Sequence, residues 1–430
     1  MLGWEFPPFI SGGLGTACYG LTKGLDQLGV NVTFCLPKAI DSNCALHVKM
    51  LAPTSSSSSL NVDTLKFDEL KNVTFRTINS PLQPYATPDI YQQRIEETLR
   101  QKQQQQVRGN NTDSNFMGAT HYGGDMYNEV HRYAAIAAEL AESEQFDVIH
   151  AHDWMTFPAG VAVAAVTGKP LIVHVHSTEF DRSGENVNQM IYDIERMGME
   201  HADKVIAVSY LTRGIIIERY GINGEKVEVV HNSVQRNSNG CGALTDSGIK
   251  KDEKIVLFLG RITMQKGPEY FLRAAKKVLD VMDNVKFVMA GSGDLMHRAI
   301  EMAAELGIGQ KVLFTGFLRG EEVRRIYEMA DLYVMPSVSE PFGIAPLEAL
   351  NNDVPVIISK QSGVSEVLTH ALKVDFWDVD EIANKITAVL KYPPLGVTLR
   401  NYGNFEIRKL RWKDSAAKCL KIYEEMMVAV

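Results

Sequence analysis

The sequence has no apolar run as long as a membrane-spanning helix, which needs about 18 consecutive residues. Its five cysteines show no paired spacing of the kind that binds zinc, and an odd number cannot all pair within one chain. Residues 1–4 are too few to form a secretory signal, and no other leader is evident. We therefore expect a cytoplasmic protein without a membrane span.

The chain also lacks an excess of positive charge: it has 44 Lys and Arg residues and 52 Asp and Glu residues, which gives a net charge of −8. Nucleic acids and anionic membranes attract proteins through excess positive charge, so a general affinity for either is not expected. Hydrophobic residues make up 45% of the 430-residue chain, which is long enough for two or three domains with full cores.

Several familiar active-site motifs are missing. The glycine-rich turn around residues 12–15 does not follow the Rossmann pattern, since Gly13 and Gly15 are followed by Cys18. No phosphate-binding Walker sequence occurs. A Gly-x-Ser-x-Gly elbow is absent as well, which excludes an α/β hydrolase of the usual kind.

What the chain does contain is a repeated alternation of strands and helices. In the first half, we predict strands at 1–4, 30–36, 146–152, 170–176, 202–209 and 225–230. In the second half, we predict strands at 254–259, 285–290, 312–315 and 331–335, and a last helix at 412–427. Residues 52–118 are the least informative; within them, a serine run at 55–59 and a glutamine run at 103–106 predict surface loops or insertions. Polar residues 235–252 predict a linker between domains.

The segment 331–350 is a predicted strand, loop and helix with a carboxylate in the loop, Glu340, and another on the helix, Glu348. The N–H groups at the helix start belong to Gly343, Ile344 and Ala345. Unpaired N–H groups and the helix dipole there favour a phosphate, and the carboxylates suit sugar hydroxyls. The alternative is an ordinary strand–loop–helix with a capping glutamate.

Other polar residues follow predicted strands. Arg261 and Lys266 lie in a glycine-flanked loop, and they are either ligand-binding or solvated charges. His150, His152, His174 and His176 invite a metal interpretation. Parallel strands are covered on both faces, however, so His150 and His174 are at least as well explained as core histidines. Asp153 and His176 come at carboxyl ends of strands, where open α/β sheets bind ligands.

The Glu340-x7-Glu348 spacing resembles the signature of retaining nucleotide-sugar glycosyltransferases of family 4, which have the GT-B fold. Arg261-x4-Lys266, His152-Asp-Trp and a Gly-Gly-Leu-Gly segment are similar to matching segments of this family and of glycogen and starch synthases. The resemblance implies an α/β protein of two facing Rossmann-like domains with a cleft between them. Residues 1–240 would form the acceptor-side domain, 250–410 the nucleotide-sugar domain, and 411–430 a helix returning to the first domain.

The same resemblance implies roles for individual residues. Those near the donor diphosphate would be Gly12, Gly13, Arg261 and Lys266. His176 and Glu340 would contact the transferred sugar, and Asp153 would lie near the sugar or the acceptor. Phe317 would pack on the nucleotide base, and Glu348 would bind the ribose. The implied reaction needs no protein base, since the leaving phosphate takes the acceptor proton, and we expect no metal or other cofactor.

The acceptor is the open question. We place transfer of glucose from UDP-glucose or ADP-glucose to an α-1,4-glucan first. Glycogen synthases have Lys two positions before the glycine pair, whereas this chain has Ile10. The alternatives are transfer to another sugar or small acceptor, and a GT-B binding subunit without turnover. The donor base and the oligomeric state stay open.

Overall fold

The computed structural model describes residues 1–7, 12–38, 62–65, 72–79, 126–235 and 253–428. The serine and glutamine runs, Ile10 and nearly all of the predicted linker lie outside these ranges. The chain divides into two compact units: Met1–His174, Ile194–Val205 and Leu420–Val430 form the first, and Val175–Asp193 and Ile206–Cys419 form the second. These units follow a different division from the predicted domain boundaries, which stay a prediction.

The described part of the chain up to residue 235 alternates helices and strands. Its strands are β1 (Val32–Lys38), β2 (Val62–Leu65), β3 (Val73–Asn79), β4 (Ile149–His152), β5 (Leu171–Val175), β6 (Lys204–Ala207) and β7 (Val227–Val229). Its helices are α1 (Gly13–Gln27), α2 (Met126–Glu142), α3 (Phe157–Thr167), α4 (Glu179–Ser183), α5 (Gln189–His201) and α6 (Tyr210–Tyr220).

These strands form sheets with the orders β2-β3-β1 and β4-β5-β6-β7. Leu2 makes parallel bridges to Cys35 of β1 and to Ala151 of β4, so residue 2 takes the position of a strand between them. This confirms the prediction that residues 1–4 belong to a strand. β1 pairs in parallel with β3, and β4 pairs in parallel with β5. Every residue of β4 and β5 is buried, as expected for parallel strands covered on both faces.

The described residues from 253 onward form a second α/β region. Its strands are β8 (Lys254–Leu259), β9 (Val285–Ala290), β10 (Val312–Gly316), β11 (Leu332–Met335), β12 (Val356–Ser359) and β13 (Leu372–Val374). Its helices are α7 (Pro268–Leu279), α8 (Met296–Glu305), α9 (Glu321–Met329), α10 (Ile344–Asn351), α11 (Val364–Val367), α12 (Val379–Lys391), α13 (Pro393–Ile407) and α14 (Trp412–Val428).

Its sheet has the order β10-β9-β8-β11-β12-β13, with every neighbouring pair parallel. Counted within this sheet, the order is 3-2-1-4-5-6, the doubly wound order of Rossmann folds. The order reverses between β8 and β11. Ligands of such sheets bind outside the carboxyl ends of the strands at that reversal point, so the loops after β8 and β11 are the first place to look for a site.

Both faces of this sheet are covered by helices. Alternate residues of β8 point to opposite cores: Val256 and Phe258 pack with α7, α8 and α12, whereas Leu257 packs with α9, α10 and α13. This alternation follows from the two-residue period of a strand. Because both faces are apolar, only the ends of the strands are left to carry polar chemistry.

The fold class predicted from the sequence, α/β with parallel sheets, is confirmed. The predicted strand at 254–259 coincides with β8, and the other predicted strands match within a few residues. The sequence prediction assigned no elements to the segments that form α8, α9, α12 and α13. Among the residues that the structure describes, no helix is long and apolar enough to cross a membrane.

Candidate active site

An ion pair lies where the two central strands of the second sheet end. Lys266, in the 3-10 turn Met264–Lys266 after β8, donates from Nζ to Oε2 of Glu340 in the loop after β11, at 2.5 Å. Ser337 donates to the same oxygen at 3.3 Å. Glu340 is buried, with 7% exposure, but its carboxylate is compensated by a cation and a hydroxyl. The pair brings together residues that are 74 positions apart.

Backbone hydrogen bonds fix the loop that carries Glu340. The N–H of Glu340 donates to the carbonyl of Gln361, and the N–H of Gly363 donates to the carbonyl of Glu340, both at 2.9 Å. Val338 donates to the carbonyl of Gln265, also at 2.9 Å, so the loops after β8 and β11 hold one another directly. The carboxylate therefore projects from a rigid support.

Arg261 occupies the beginning of the loop after β8. Its Nη2 donates to the amide oxygen of buried Gln265 at 2.9 Å, which orients the guanidinium within its own loop. The structure thus places Arg261, Lys266 and Glu340 on two adjacent loops at the reversal point of the sheet, as their predicted shared role requires.

The helix start after Glu340 depends on a glycine. Gly343 has φ +100°, a conformation that other residues adopt only with strain. A β-carbon there would lie 3.2 Å from the Glu340 side chain and 3.2 Å from Val364. The next residues, Ile344 and Ala345, begin α10, and the first amides of a helix have no intrahelical carbonyl partner. These amides can therefore receive an anion.

Glu348 lies on α10, half-buried, with its Oε2 3.2 Å from the hydroxyl of Tyr327. Burial raises the pKa of the Glu348 carboxyl, and the hydrogen bond with Tyr327 lowers it in part. Phe317, in the loop after β10, is 54% exposed, with the guanidinium of Arg319 5.2 Å above its ring. An exposed ring of this kind can stack on a flat ligand.

His176 follows β5 directly and is half-buried. Burial of its imidazole lowers the pKa of His176 to about 3, so the ring is neutral at physiological pH. A neutral imidazole can donate one hydrogen bond and accept one, which suits a sugar hydroxyl. Short helix α4 begins three residues later and packs against the 3-10 turn that carries Lys266.

The candidate residues of the first unit show two further features. Asp153 has φ +60°, which is rare for a residue other than glycine, and its N–H donates to the carbonyl of His174 at 3.0 Å. Such outliers concentrate at functional sites. The N–H of Gly12 donates to the carboxylate of buried Glu5, so this amide is already engaged; Gly13 begins α1.

The buried histidines form a stack. The His150 ring lies 4.3 Å from that of His152 and 5.3 Å from that of His174, with interplanar angles of 24° and 9°. His150 is hydrogen-bonded to Tyr423 at 2.6 Å and to His174 at 3.2 Å. Ring nitrogens of His150, His152 and His174 lie within 4.8 Å of one another, but both nitrogens of His150 are already engaged by these hydrogen bonds, which suits core histidines. Trp154, 4% exposed, is a core residue without a free face for a sugar.

One Asp-x-Asp sequence, Asp378-Val-Asp380, also has a structural explanation. Asp378 caps α12 by accepting the N–H of Glu381, and Asp380 pairs with Lys277 at 2.6 Å. Neither carboxylate lies in the loops after β8 and β11. The expectation that no metal takes part in the reaction stays a prediction.

Comparison with known proteins identifies the family. Residues 244–404 match the model of glycosyl transferases group 1, and residues 105–237 match that of glycosyltransferase family 4. An uncharacterized glycosyltransferase of Methanocaldococcus jannaschii is 31% identical over 300 residues, which span 66% of this chain and 76% of that protein. The chain belongs to the group 1 glycosyltransferases.

Two further similarities extend this result. This group 1 glycosyltransferase is 28% identical to a D-inositol 3-phosphate glycosyltransferase of Mycobacterium sp. (strain KMS). The match spans 293 residues, which are 63% of this chain and 66% of that protein. The structure of this chain resembles sucrose-phosphate synthase from Thermosynechococcus elongatus with a TM-score of 0.73 and 19% identity, over 100% of this chain and 98% of that one. The second likeness shows the GT-B fold of two Rossmann-like domains.

Within this group 1 glycosyltransferase, sequence reasoning missed several residues that support the site. Gln265, Ser337 and Tyr327 contact candidate residues, and Ser339 donates to Asp181 at 2.5 Å. Burial raises the pKa of the Asp181 carboxyl, while hydrogen bonds from Ser339 and Thr178 lower it. Ser337 and Ser339 come shortly before Glu340 in the sequence, which was an available signal, whereas Tyr327 and Asp181 come from other segments.

Proposed function

We propose that this glycosyltransferase transfers glucose, with retention of anomeric configuration, from UDP-glucose or ADP-glucose to an α-1,4-glucan in the cytoplasm. One observation carries the proposal: Lys266 pairs with Glu340 at the reversal point of the second sheet, with Arg261 on the same loop as Lys266 and the amino end of α10 close behind Glu340 in the chain. Two cations and a helix start suit a diphosphate, and the adjacent carboxylate suits a hexose.

The donor residues divide by the part of the ligand they would contact. Arg261, Lys266 and the amides of Gly343, Ile344 and Ala345 would stabilise the diphosphate as its negative charge grows. Glu340 would accept hydrogen bonds from the sugar hydroxyls. Glu348 would accept hydrogen bonds from the ribose, and Phe317 would pack on the nucleotide base.

In the reaction, the bond from the anomeric carbon to the phosphate oxygen breaks, and a bond to the acceptor oxygen forms on the same face. The acceptor proton passes to the leaving phosphate, so no protein base is needed. The neutral imidazole of His176 would donate to or accept from a sugar hydroxyl near the reacting carbon. Asp153, with its unusual backbone, would lie near the sugar or the acceptor, and Gly12 and Gly13 near the diphosphate.

A second function has a specific observation in its favour. A relative with 28% identity is named for inositol 3-phosphate, and a structural neighbour is named for sucrose phosphate. Transfer to another sugar or to a small acceptor, such as a phosphorylated one, is therefore the alternative to glucan elongation. The presence together of Arg261, Lys266, Glu340 and Glu348 favours an active enzyme over a binding subunit.

A donor and acceptor panel tests the proposal. Purified protein is incubated with radiolabelled UDP-glucose or ADP-glucose and, in turn, with glycogen, maltooligosaccharide, inositol 3-phosphate and fructose 6-phosphate. Released nucleoside diphosphate and labelled product are both measured, with Glu340→Gln as the inactive control. Label that lengthens the glucan by α-1,4 units supports the first function. Label found only on a small acceptor supports the second, and absence of turnover with every pair contradicts both.

A further inference from the structure

Tyr327 connects helix α9 to the helix that carries Glu348. Its hydroxyl oxygen lies 3.2 Å from Oε2 of Glu348 and 3.2 Å from the carbonyl oxygen of Ala345. Tyr327 is 1% exposed, and its ring packs 6.1 Å from that of Tyr333 on β11. The hydroxyl is therefore held in place by the core and touches two residues of the proposed donor site.

The hydroxyl restricts the Glu348 side chain. Within the described part of the chain, the Tyr327 hydroxyl hydrogen-bonds to the Glu348 carboxylate through Oε2, which is one of its two oxygens. A glutamate on a helix surface otherwise samples several rotamers. With Oε2 held by Tyr327, Oε1 is left to accept from a ligand in one fixed direction.

We infer that Tyr327 is a positioning residue that fixes Glu348 to accept hydrogen bonds from the donor ribose, and that it thereby sets a preference for ribonucleotides over 2′-deoxyribonucleotides. The inference rests on the proposed function, in which Glu348 binds the ribose. Recognition of a hydroxyl by a buried polar group discriminates strongly against a ligand without that hydroxyl, because the protein group is then left unpaired. Discrimination falls when the protein group can turn away.

The chain offers a matched control. Tyr333 is also 1% exposed, and its hydroxyl donates to the backbone carbonyl of Leu259 at 3.2 Å. Tyr333→Phe removes one buried hydroxyl from the same core without touching Glu348. A difference between Tyr327→Phe and Tyr333→Phe therefore reports on the glutamate and not on general loss of a core hydrogen bond.

The experiment measures dissociation constants of UDP, 2′-deoxy-UDP, ADP and 2′-deoxy-ADP by calorimetry for the parental protein and for Tyr327→Phe, Tyr333→Phe and Glu348→Gln. We expect the parental protein and Tyr333→Phe to prefer the ribonucleotide. The preference is the dissociation constant of the 2′-deoxyribonucleotide divided by that of the ribonucleotide. In Tyr327→Phe this ratio should fall about tenfold, which corresponds to the loss of one hydrogen bond to a charged group. Melting temperatures check that all variants are folded.

Each outcome has one meaning. If the parental protein and Glu348→Gln show the same ribose preference, the proposed role of Glu348 fails and the inference fails with it. If Glu348→Gln loses the preference while Tyr327→Phe keeps it in full, the inference alone is overturned. Should Tyr327→Phe not fold, Glu348→Asp tests the same contact, because its shorter side chain would not reach the Tyr327 hydroxyl; an unchanged ratio there would overturn the inference.

Discussion

Glu340 shows how a buried carboxylate can be compensated by its neighbours. A carboxylate with 7% exposure is costly unless it is paired, and Lys266 and Ser337 provide that compensation here. In our proposal, the incoming donor sugar and diphosphate compete for these same partners. Lys266 would then shift its main interaction from Glu340 to phosphate, and Glu340 would turn to the sugar.

We predict that Glu340→Gln lowers turnover by at least about 100-fold, on the scale of losing a preorganised electrostatic contact. The amide keeps the size of the side chain, so the protein should stay folded. Steady-state rates and melting temperature are measured side by side. Parental turnover in a folded variant would remove Glu340 from the reaction.

Arg261→Ala and Lys266→Ala should each reduce transition-state stabilisation by about 3 kcal/mol. The double variant should lose less than the sum, since both side chains would contact one diphosphate. Values of kcat/KM for the two single variants and the double variant complete a double-mutant cycle. Full activity in either single variant would show that these are solvated charges.

Stability should depend on pH through His176. Burial lowers the pKa of His176 in the folded protein to about 3, below the ordinary value of about 6.5, so the unfolded chain binds the extra proton between these values. The neutral ring therefore favours the folded state at pH 7, and this contribution is lost as pH falls from about 6.5 toward 3, by up to about 1.4 kcal/mol per pH unit. Urea unfolding at several pH values measures the slope, which His176→Asn should reduce; an equal slope in the variant would contradict the prediction.

At the scale of elements, short loops between β8 and the following helix, and between β11 and α10, determine the site. Both loops leave parallel strands at the same edge of the sheet, so their polar residues meet although they are far apart in the sequence. The left-handed conformation at Gly343 turns the chain into α10, which begins at Ile344, four residues after Glu340.

Gly343→Ala should destabilise the fold by about 1–2 kcal/mol, the cost of a left-handed conformation for a residue with a β-carbon. It should also reduce turnover, because the new methyl group would meet the Glu340 side chain at 3.2 Å. Gly309→Ala is the control, since nothing lies within 4 Å of a β-carbon there. Denaturant unfolding and initial rates of both variants are compared. Equal effects of the two substitutions would contradict this account.

At the scale of the whole molecule, the proposed donor residues after residue 253 all belong to the second compact unit. Its doubly wound sheet supplies the reversal point, and the apolar faces on both sides leave the strand ends as the place for charge. Membership of the group 1 glycosyltransferases agrees with this arrangement, since the family model matches residues 244–404.

Nucleoside diphosphate at a hundred times its dissociation constant should stabilise the protein by about 2.7 kcal/mol. Hydrogen exchange should slow first in peptides covering residues 260–267 and 340–348, which hold the proposed diphosphate contacts. The double variant Arg261→Ala/Lys266→Ala should show neither effect at the same ligand concentration. Protection confined to other segments would place the nucleotide elsewhere.

Much of the fold was predictable from local sequence. The apolar run of β8, ended by Gly260, predicts the strand directly, as does the apolar run of β5 after Pro170. Helices α9 and α12 were missed because their amphipathic patterns are interspersed with many charges, and packing against the sheet is what stabilises them. The sequence also predicted Arg261 and Lys266 as candidate site residues, because they are charged residues in a glycine-flanked loop.

The sequence by itself determined the alternation of strands and helices, the Glu-x7-Glu spacing and the family, because these depend on residues close together in the chain. Only the tertiary structure decided which polar groups meet. Lys266 with Glu340, Tyr327 with Glu348, and Asp181 with Ser339 are pairs separated by 74, 21 and 158 positions. Each pair depends on strand order and helix packing, which the whole apolar core sets together and which no local pattern encodes.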